Sequence, residues 1–221
     1  MAYRVVVGVP GSGKSFYIVN WLVENFCVEL KGGGYVLDQK KNVRVVTNVA
    51  GLQIPHEDFQ TALDDAGGFE TFFTKEYQSY FSRGSHIIYI FDEAQEWFHP
   101  KFCKLTKENI LYFTWARHEG HDIFLLTQNL KLLIYDIACL SEYVVYAQPR
   151  VNNVANELTY VYCTFDGTEI RQQRILFSKR VASLYKSAEK GEAVKIKNYR
   201  MRKYMAALVV SLIFLVLGFR G

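Results

Sequence analysis

Short uninterrupted apolar runs alternate along this chain with stretches of helical period. Residues 3–7 make the first run, and residues 15–28 follow it with apolar positions spaced for a helix. Lys31-Gly32-Gly33-Gly34 breaks that pattern, and the β-branched stretch 42–49 reads as a second strand. The signal weakens from 54 to 84, where 69–73 and 77–81 suggest helical pieces around Gly67-Gly68. It sharpens again at 87–91, a continuous apolar run of strand length, as in a parallel sheet covered on both faces. A helix over 106–118, a strand at 123–126, a helix over 130–140 and a strand at 143–146 complete the alternation. Strands alternating with helices specify a mainly parallel α/β layer flanked by helices. The texture then changes: residues 157–165 and 168–177 flank Asp166-Gly167, a strong short hairpin signal, predicting a C-terminal β-hairpin.

At the end of the first strand, Gly8-Val9-Pro10-Gly11-Ser12-Gly13-Lys14-Ser15 satisfies the phosphate-loop pattern G-x-x-x-x-G-K-[ST] at every constrained position. Glycines there let backbone N–H groups turn inward around phosphate oxygens, and the following helix directs its positive end at the same place. The pattern nominates Gly8, Pro10, Gly11, Ser12, Gly13, Lys14, Ser15 and Phe16 as nucleotide contacts. Lys14 reaches the terminal phosphates, and the Ser15 hydroxyl is a Mg²⁺ ligand. The run 87–91 ends in Asp92-Glu93. Asp92 is placed to hold Mg²⁺ directly or through water, and Glu93 to orient or deprotonate an attacking water, favouring hydrolysis over transfer to another acceptor.

Three further polar positions are candidates. Gln128 ends the strand that neighbours the phosphate loop, where an amide can sense a terminal phosphate. Arg117, at a helix end, is the first candidate for an arginine donated to a neighbouring subunit's site, with Arg150 the second. His118 and His121, three residues apart beside Asp122, lack further Cys or His at supporting spacing and read as loop or surface residues rather than zinc ligands. Trp97-Phe98-His99-Pro100 reads as a packing wedge behind the acid pair.

The composition, with 15% aromatic and 22% charged residues, describes a folded chain with a sizeable core. Its formal charge of +4 is unevenly spread. Residues 179–203 hold nine Lys/Arg against Glu189 and Glu192, a balance of +7, so the rest sums to −3 and gives no general support for DNA binding. Cys27, Cys103, Cys139 and Cys163 form no C-x-x-C pair and read as small apolar residues in a reducing compartment. The apolar run before the phosphate loop is too short for a signal peptide. Residues 205–219 carry no charge, and Tyr204 adds an interfacial aromatic, predicting a single transmembrane helix over 204–221. Arg200, Arg202 and Lys203 flank it on the side that the positive-inside rule assigns to the cytoplasm. The expected organisation is a cytoplasmic P-loop domain over 1–178, a basic connector over 179–203 and a membrane span over 204–221.

With these motifs in this order, the chain resembles the Zot (zonula occludens toxin-like) family, the membrane-anchored assembly ATPases of filamentous phages. The resemblance rests on the phosphate loop, Phe91-Asp92-Glu93 followed by Trp97-Phe98, the run from Trp115 through Arg117-His118-Glu119-Gly120-His121-Asp122 to Thr127-Gln128, the stretch 141–146 and the basic-flanked terminal span. It implies ATP as substrate with Mg²⁺, a homo-oligomer (a ring), and anchorage in the lipid of a host bacterial inner membrane with the C-terminus outward. The implied work is extrusion of single-stranded DNA as coat protein replaces bound packaging protein, together with an outer-membrane channel. Two other readings compete: a conjugation- or packaging-type ATPase that pumps naked DNA, and a nucleotide-dependent membrane scaffold with slow turnover.

Overall fold

The computed structural model describes residues 3–149 and 156–186, which belong to one unit, Met1–Ala188. Among the described residues, ten strands and eight α-helices follow one another along the chain. In chain order the strands are β1 (Tyr3–Val7), β2 (Cys27–Glu29), β3 (Tyr35–Leu37), β4 (Val43–Thr47), β5 (Glu57–Asp58), β6 (His86–Phe91), β7 (Asp122–Thr127), β8 (Tyr143–Ala147), β9 (Glu157–Cys163) and β10 (Glu169–Leu176). The helices are α1 (Lys14–Phe26), α2 (Phe59–Asp65), α3 (Phe69–Phe72), α4 (Lys75–Ser82), α5 (Gln95–Phe98), α6 (Lys107–Trp115), α7 (Tyr135–Ala138) and α8 (Lys179–Ala182). Eight strands form one sheet in the order β10-β9-β8-β1-β7-β6-β4-β5, and β2 and β3 pair separately. From β8 to β5 every pairing is parallel, while β9 and β10 extend the sheet antiparallel.

The continuous apolar runs have a direct cause: both faces of the central strands are covered. Tyr3, Val5, Ile87, Tyr89, Phe91, Ile123 and Leu125 enter one core, and the alternating Val6, Ile88, Ile90, Phe124 and Leu126 enter the other. The first core lies under α2–α7 and is built of aromatic rings, among them Phe59, Phe72, Phe73, Phe98 and Phe113, packed mostly edge to face. The second lies under α1 and α8. Trp97 and Phe98 do act as a wedge in the first core: the Trp97 ring meets Phe59 at 4.9 Å and Phe98 is fully buried.

The predicted hairpin is present, with β9 and β10 joined across Asp166-Gly167. Two expectations need correction. Residues 130–140 do not form one helix; they break into a 3₁₀ turn, Leu130–Leu132, and the one-turn α7. The Asn129 side chain caps Lys131 N–H, and the Ile134 N–H donates to the Phe98 carbonyl at 2.8 Å, so the backbone between the turns is held to α5. The helix expected over 15–28 stops at Phe26, because Cys27–Glu29 turns out to pair with Tyr35–Leu37 across the glycine run.

The sheet's packing continues past residue 178. Val181 and Leu184 are buried in the α1 core, and the Leu184 carbonyl accepts from Gln53 N–H at 2.7 Å. Among the described residues no helix is long and apolar enough to cross a membrane; the span expected at 204–221 lies outside them.

Candidate active site

Parallel pairing sets the carboxyl ends of β1, β7, β6 and β4 side by side, where ligands of open α/β sheets bind. β7 lies between the strand that leads into the phosphate loop and the strand that carries the acids. Gly8, Gln128, Asp92-Glu93 and Asn48 therefore line one edge.

The loop itself is shaped for an anion. Gly11 and Gly13 have φ of 73° and 97°, the left-handed region that glycine occupies without strain. Around Gly13 there is also no room for a side chain: a Cβ would lie 2.8 Å from Leu158 Cδ1 and 3.0 Å from the Tyr160 hydroxyl, both on β9. A Cβ on Gly8 would lie 2.9 Å from the Ala147 carbonyl. α1 starts at Lys14 with no side-chain cap, so its first-turn N–H groups face the loop. The Ser12 hydroxyl is buried and has no partner among the described residues. A glycine cradle, uncapped N–H groups and an orphaned hydroxyl together fit a phosphate group. Lys14 is 6% exposed, and its ammonium donates to the Gly8 carbonyl at 2.9 Å, folding the side chain back across the loop. The Phe16 ring is buried against Phe177 at 5.1 Å, so a nucleotide contact from this residue would come from its backbone N–H. Pro10 is exposed.

The acids meet the loop as the sequence predicts. Ser15 Oγ donates to Asp92 Oδ2 at 3.2 Å, joining a hydroxyl and a carboxylate, the hard oxygen donors Mg²⁺ takes. Burial and the neighbouring Glu93 push the Asp92 carboxyl above its ordinary range, opposed by Ser15 and Lys14. Asn48 clamps the Asp92 backbone from β4: its Oδ1 accepts from Asp92 N–H at 2.7 Å and its Nδ2 donates to the Asp92 carbonyl at 2.8 Å. Glu93 has φ 47°, a left-handed conformation uncommon outside glycine, which turns its side chain out of the strand's alternation. Its Oε2 accepts from Gln128 Nε2 at 3.2 Å and from Gln95 Nε2. Thr127 in turn donates to Gln95 Oε1 at 2.8 Å, and Ala94 N–H donates to the Leu126 carbonyl at 2.7 Å. The acid-bearing turn is thus tied to the end of β7.

Other nominated residues fall elsewhere. Arg117 is exposed in the turn before β7, at the edge of the sheet opposite the phosphate loop. The length of β7 alone separates it from its own chain's site by about 15 Å. Arg150 lies outside the described residues. His121 is no surface residue: it is 1% exposed, its Nδ1 pairs with the Tyr112 hydroxyl at 3.1 Å, and burial followed by His86 lowers its pKa to about 4. Among the described residues no His/Cys/Asp/Glu cluster has the arrangement of a metal site, and the four cysteines are unpaired.

Comparison with known proteins decides the family: the family model for zonular occludens toxin (Zot) matches residues 2–192. The chain belongs to the Zot family. Its fold is similar to that of the N-terminal domain of zonular occludens toxin from Neisseria meningitidis, at 24% identity and a TM-score of 0.61, covering 84% of this chain and 100% of that one. It is also similar in fold to the genome-packaging NTPase of Sulfolobus turreted icosahedral virus 2 in complex with sulfate, at 15% identity and a TM-score of 0.52, over 80% of this chain and 98% of that one. No curated protein matches the sequence. The fold is that of a P-loop NTPase. In this Zot-family chain, three polar residues of the site escape a reading of motifs: Asn48, Gln95 and Tyr160, whose hydroxyl donates to the Gly13 carbonyl at 2.9 Å. Asn48 had a legible signal, since Thr47-Asn48 ends a β-branched strand as Asp92-Glu93 ends β6.

Proposed function

We propose that this chain is a membrane-anchored, oligomeric ATPase that drives assembly and export of a filamentous phage through the host inner membrane. The observation that carries the enzymatic part is the 3.2 Å contact between Ser15 and Asp92 beside a loop shaped for phosphate, with the Glu93 carboxylate one residue on. Family membership and the uncharged run 205–219 with its basic flank support the phage and membrane parts.

In this reading the backbone N–H groups of Gly11, Gly13 and the first turn of α1 bind the phosphates, and Lys14 leaves the Gly8 carbonyl to place its charge on the terminal ones. Ser15 and Asp92 would hold Mg²⁺, which when bound would offset negative charge on the phosphates. Glu93 accepts a proton from the attacking water. Gln95 and Gln128 hold that carboxylate in place, and Gln128, on the strand between, exchanges its bond to Glu93 for one to the terminal phosphate. Arg117, remote from its own site, would serve a neighbouring copy, where it would balance charge on the transferring phosphoryl group.

Glu93→Gln separates binding from turnover. It should leave ATP affinity unchanged and lower turnover by about 10²- to 10⁴-fold. Normal turnover in that variant assigns the base elsewhere. A naked-DNA pump is the second reading, favoured by the fold likeness to a genome-packaging NTPase and opposed by the −3 balance outside the basic segment.

A further inference from the structure

Between α5 and α6 the chain presents a surface that the nucleotide site does not use. Phe102 is 82% exposed, more than any other large apolar side chain among the described residues. It does not stand alone: the His99 ring stacks on it, with centroids 4.9 Å apart and planes 28° from parallel. The stack is held from within. Lys101 N–H donates to His99 Nδ1 at 3.1 Å, and Phe102 and Cys103 N–H both return to the His99 carbonyl, at 3.1 and 2.9 Å. Residues 99–107 also include Lys101, Lys104 and Lys107, all exposed, and no acid.

Both ends of this loop are fixed. On one side Phe98 is buried in the aromatic core and its carbonyl holds Ile134 N–H. On the other, Thr106 and the fully buried Asn109 form a capping box that starts α6. The loop is also mechanically close to the chemistry. From Glu93, the chain passes through Gln95, which bonds the Glu93 carboxylate, and one turn of α5 to reach His99.

We infer that the His99–Phe102 stack with Lys101, Lys104 and Lys107 is a contact surface for single-stranded DNA. A flat exposed aromatic stack accepts any base on its π face, and neighbouring ammonium groups meet the phosphates between bases. Glu70 and Glu96 line the 260 Å³ hollow beside Phe102 together with Lys104, and Glu108 is exposed next to Lys107, so acids balance the lysines and stacking carries most of the affinity. A coat-protein segment is the other occupant, and the test separates the two. The inference rests on the motor reading for its purpose, not for its chemistry.

The experiment measures binding of the full chain, in nanodiscs, to a labelled oligothymidylate and to a blunt duplex of equal length. Phe102→Ala should weaken single-strand binding about 5- to 100-fold. Phe102→Trp should restore it, and both variants should keep DNA-free ATP turnover unchanged. Replacing the three lysines by Gln should flatten the slope of log affinity against log salt by up to about 2. The inference is overturned if wild type does not bind the oligonucleotide, if it prefers the duplex, or if Phe102→Ala binds as wild type does. A crosslink from the loop to a coat-protein peptide that depends on Phe102, with DNA binding unchanged, would likewise overturn it and assign the surface to protein. Turnover in the same preparations tells the two claims apart. Phe102-dependent DNA binding without any wild-type turnover removes the motor and leaves the surface, whereas normal turnover with Phe102-independent binding does the reverse.

Discussion

Gly13 is asked to do two things at once, and replacing it with alanine should show both. Its φ of 97° alone costs a side chain about 1–2 kcal/mol. The second cost comes from β9, because a Cβ would lie 2.8 Å from Leu158 and 3.0 Å from the Tyr160 hydroxyl. Neither neighbour is free to retreat: Leu158 is 3% exposed within the core, and Tyr160 is bonded to the Gly13 carbonyl. Overpacking of that kind adds about 1–3 kcal/mol, for a total of about 2–5 kcal/mol. Gly67 supplies the control, with φ 80° and nothing within 4 Å of an added Cβ, so Gly67→Ala bears the strain alone, about 1–2 kcal/mol. At about 2–4 °C per kcal/mol for a chain of this size, Gly13→Ala should lower the melting temperature by about 4–20 °C and Gly67→Ala by about 2–8 °C. Both are read from nucleotide-free thermal unfolding followed by tryptophan fluorescence. Adding Leu158→Ala to Gly13→Ala should cost less than the two single losses together, since the second change relieves the clash of the first. Equal losses at Gly13 and Gly67, with strict additivity at Leu158, would refute the claim that β9 shapes the phosphate loop.

Two other expectations follow from particular residues. His121 is held near pKa 4 against an ordinary 6.5, so the unfolded chain takes up its proton first as pH falls. Its contribution, about 3 kcal/mol, is complete above about pH 6.5 and is lost progressively down to about pH 4; melting temperature against pH should fall less steeply in His121→Gln, and identical slopes would contradict this. Arg117→Ala should leave nucleotide affinity intact while turnover of the assembled protein drops by about 10³-fold, and unchanged turnover would remove Arg117 from the neighbouring site.

The fold was legible wherever burial and local chemistry agreed. The run ending at Phe91 is apolar because both its faces are covered, and Asp166-Gly167 forms its turn without help from the rest of the molecule. Residues 130–140 failed for the opposite reason: their apolar spacing suits a helix, but a bond from Ile134 to Phe98, distant in sequence, divides it. The same distinction governs the site. Gly8 to Ser15 and Asp92-Glu93 are contiguous motifs whose function depends on local order. Tyr160 reaches Gly13 across 147 residues, and Gln95 matters only because Thr127 orients its amide; neither relation has a local signature. Arg117 shows what a motif leaves out, since its place on the far edge of the sheet follows from the direction of β7.

The central claim is that these residues form a hydrolytic site completed between copies of the chain. It is tested most directly by ATP turnover per subunit against protein concentration in nanodiscs, with Lys14→Ala as the blank. The account predicts a sigmoidal rise with concentration that the blank lacks. A flat, low rate in a protein that still binds ATP would contradict it and favour a nucleotide-dependent scaffold.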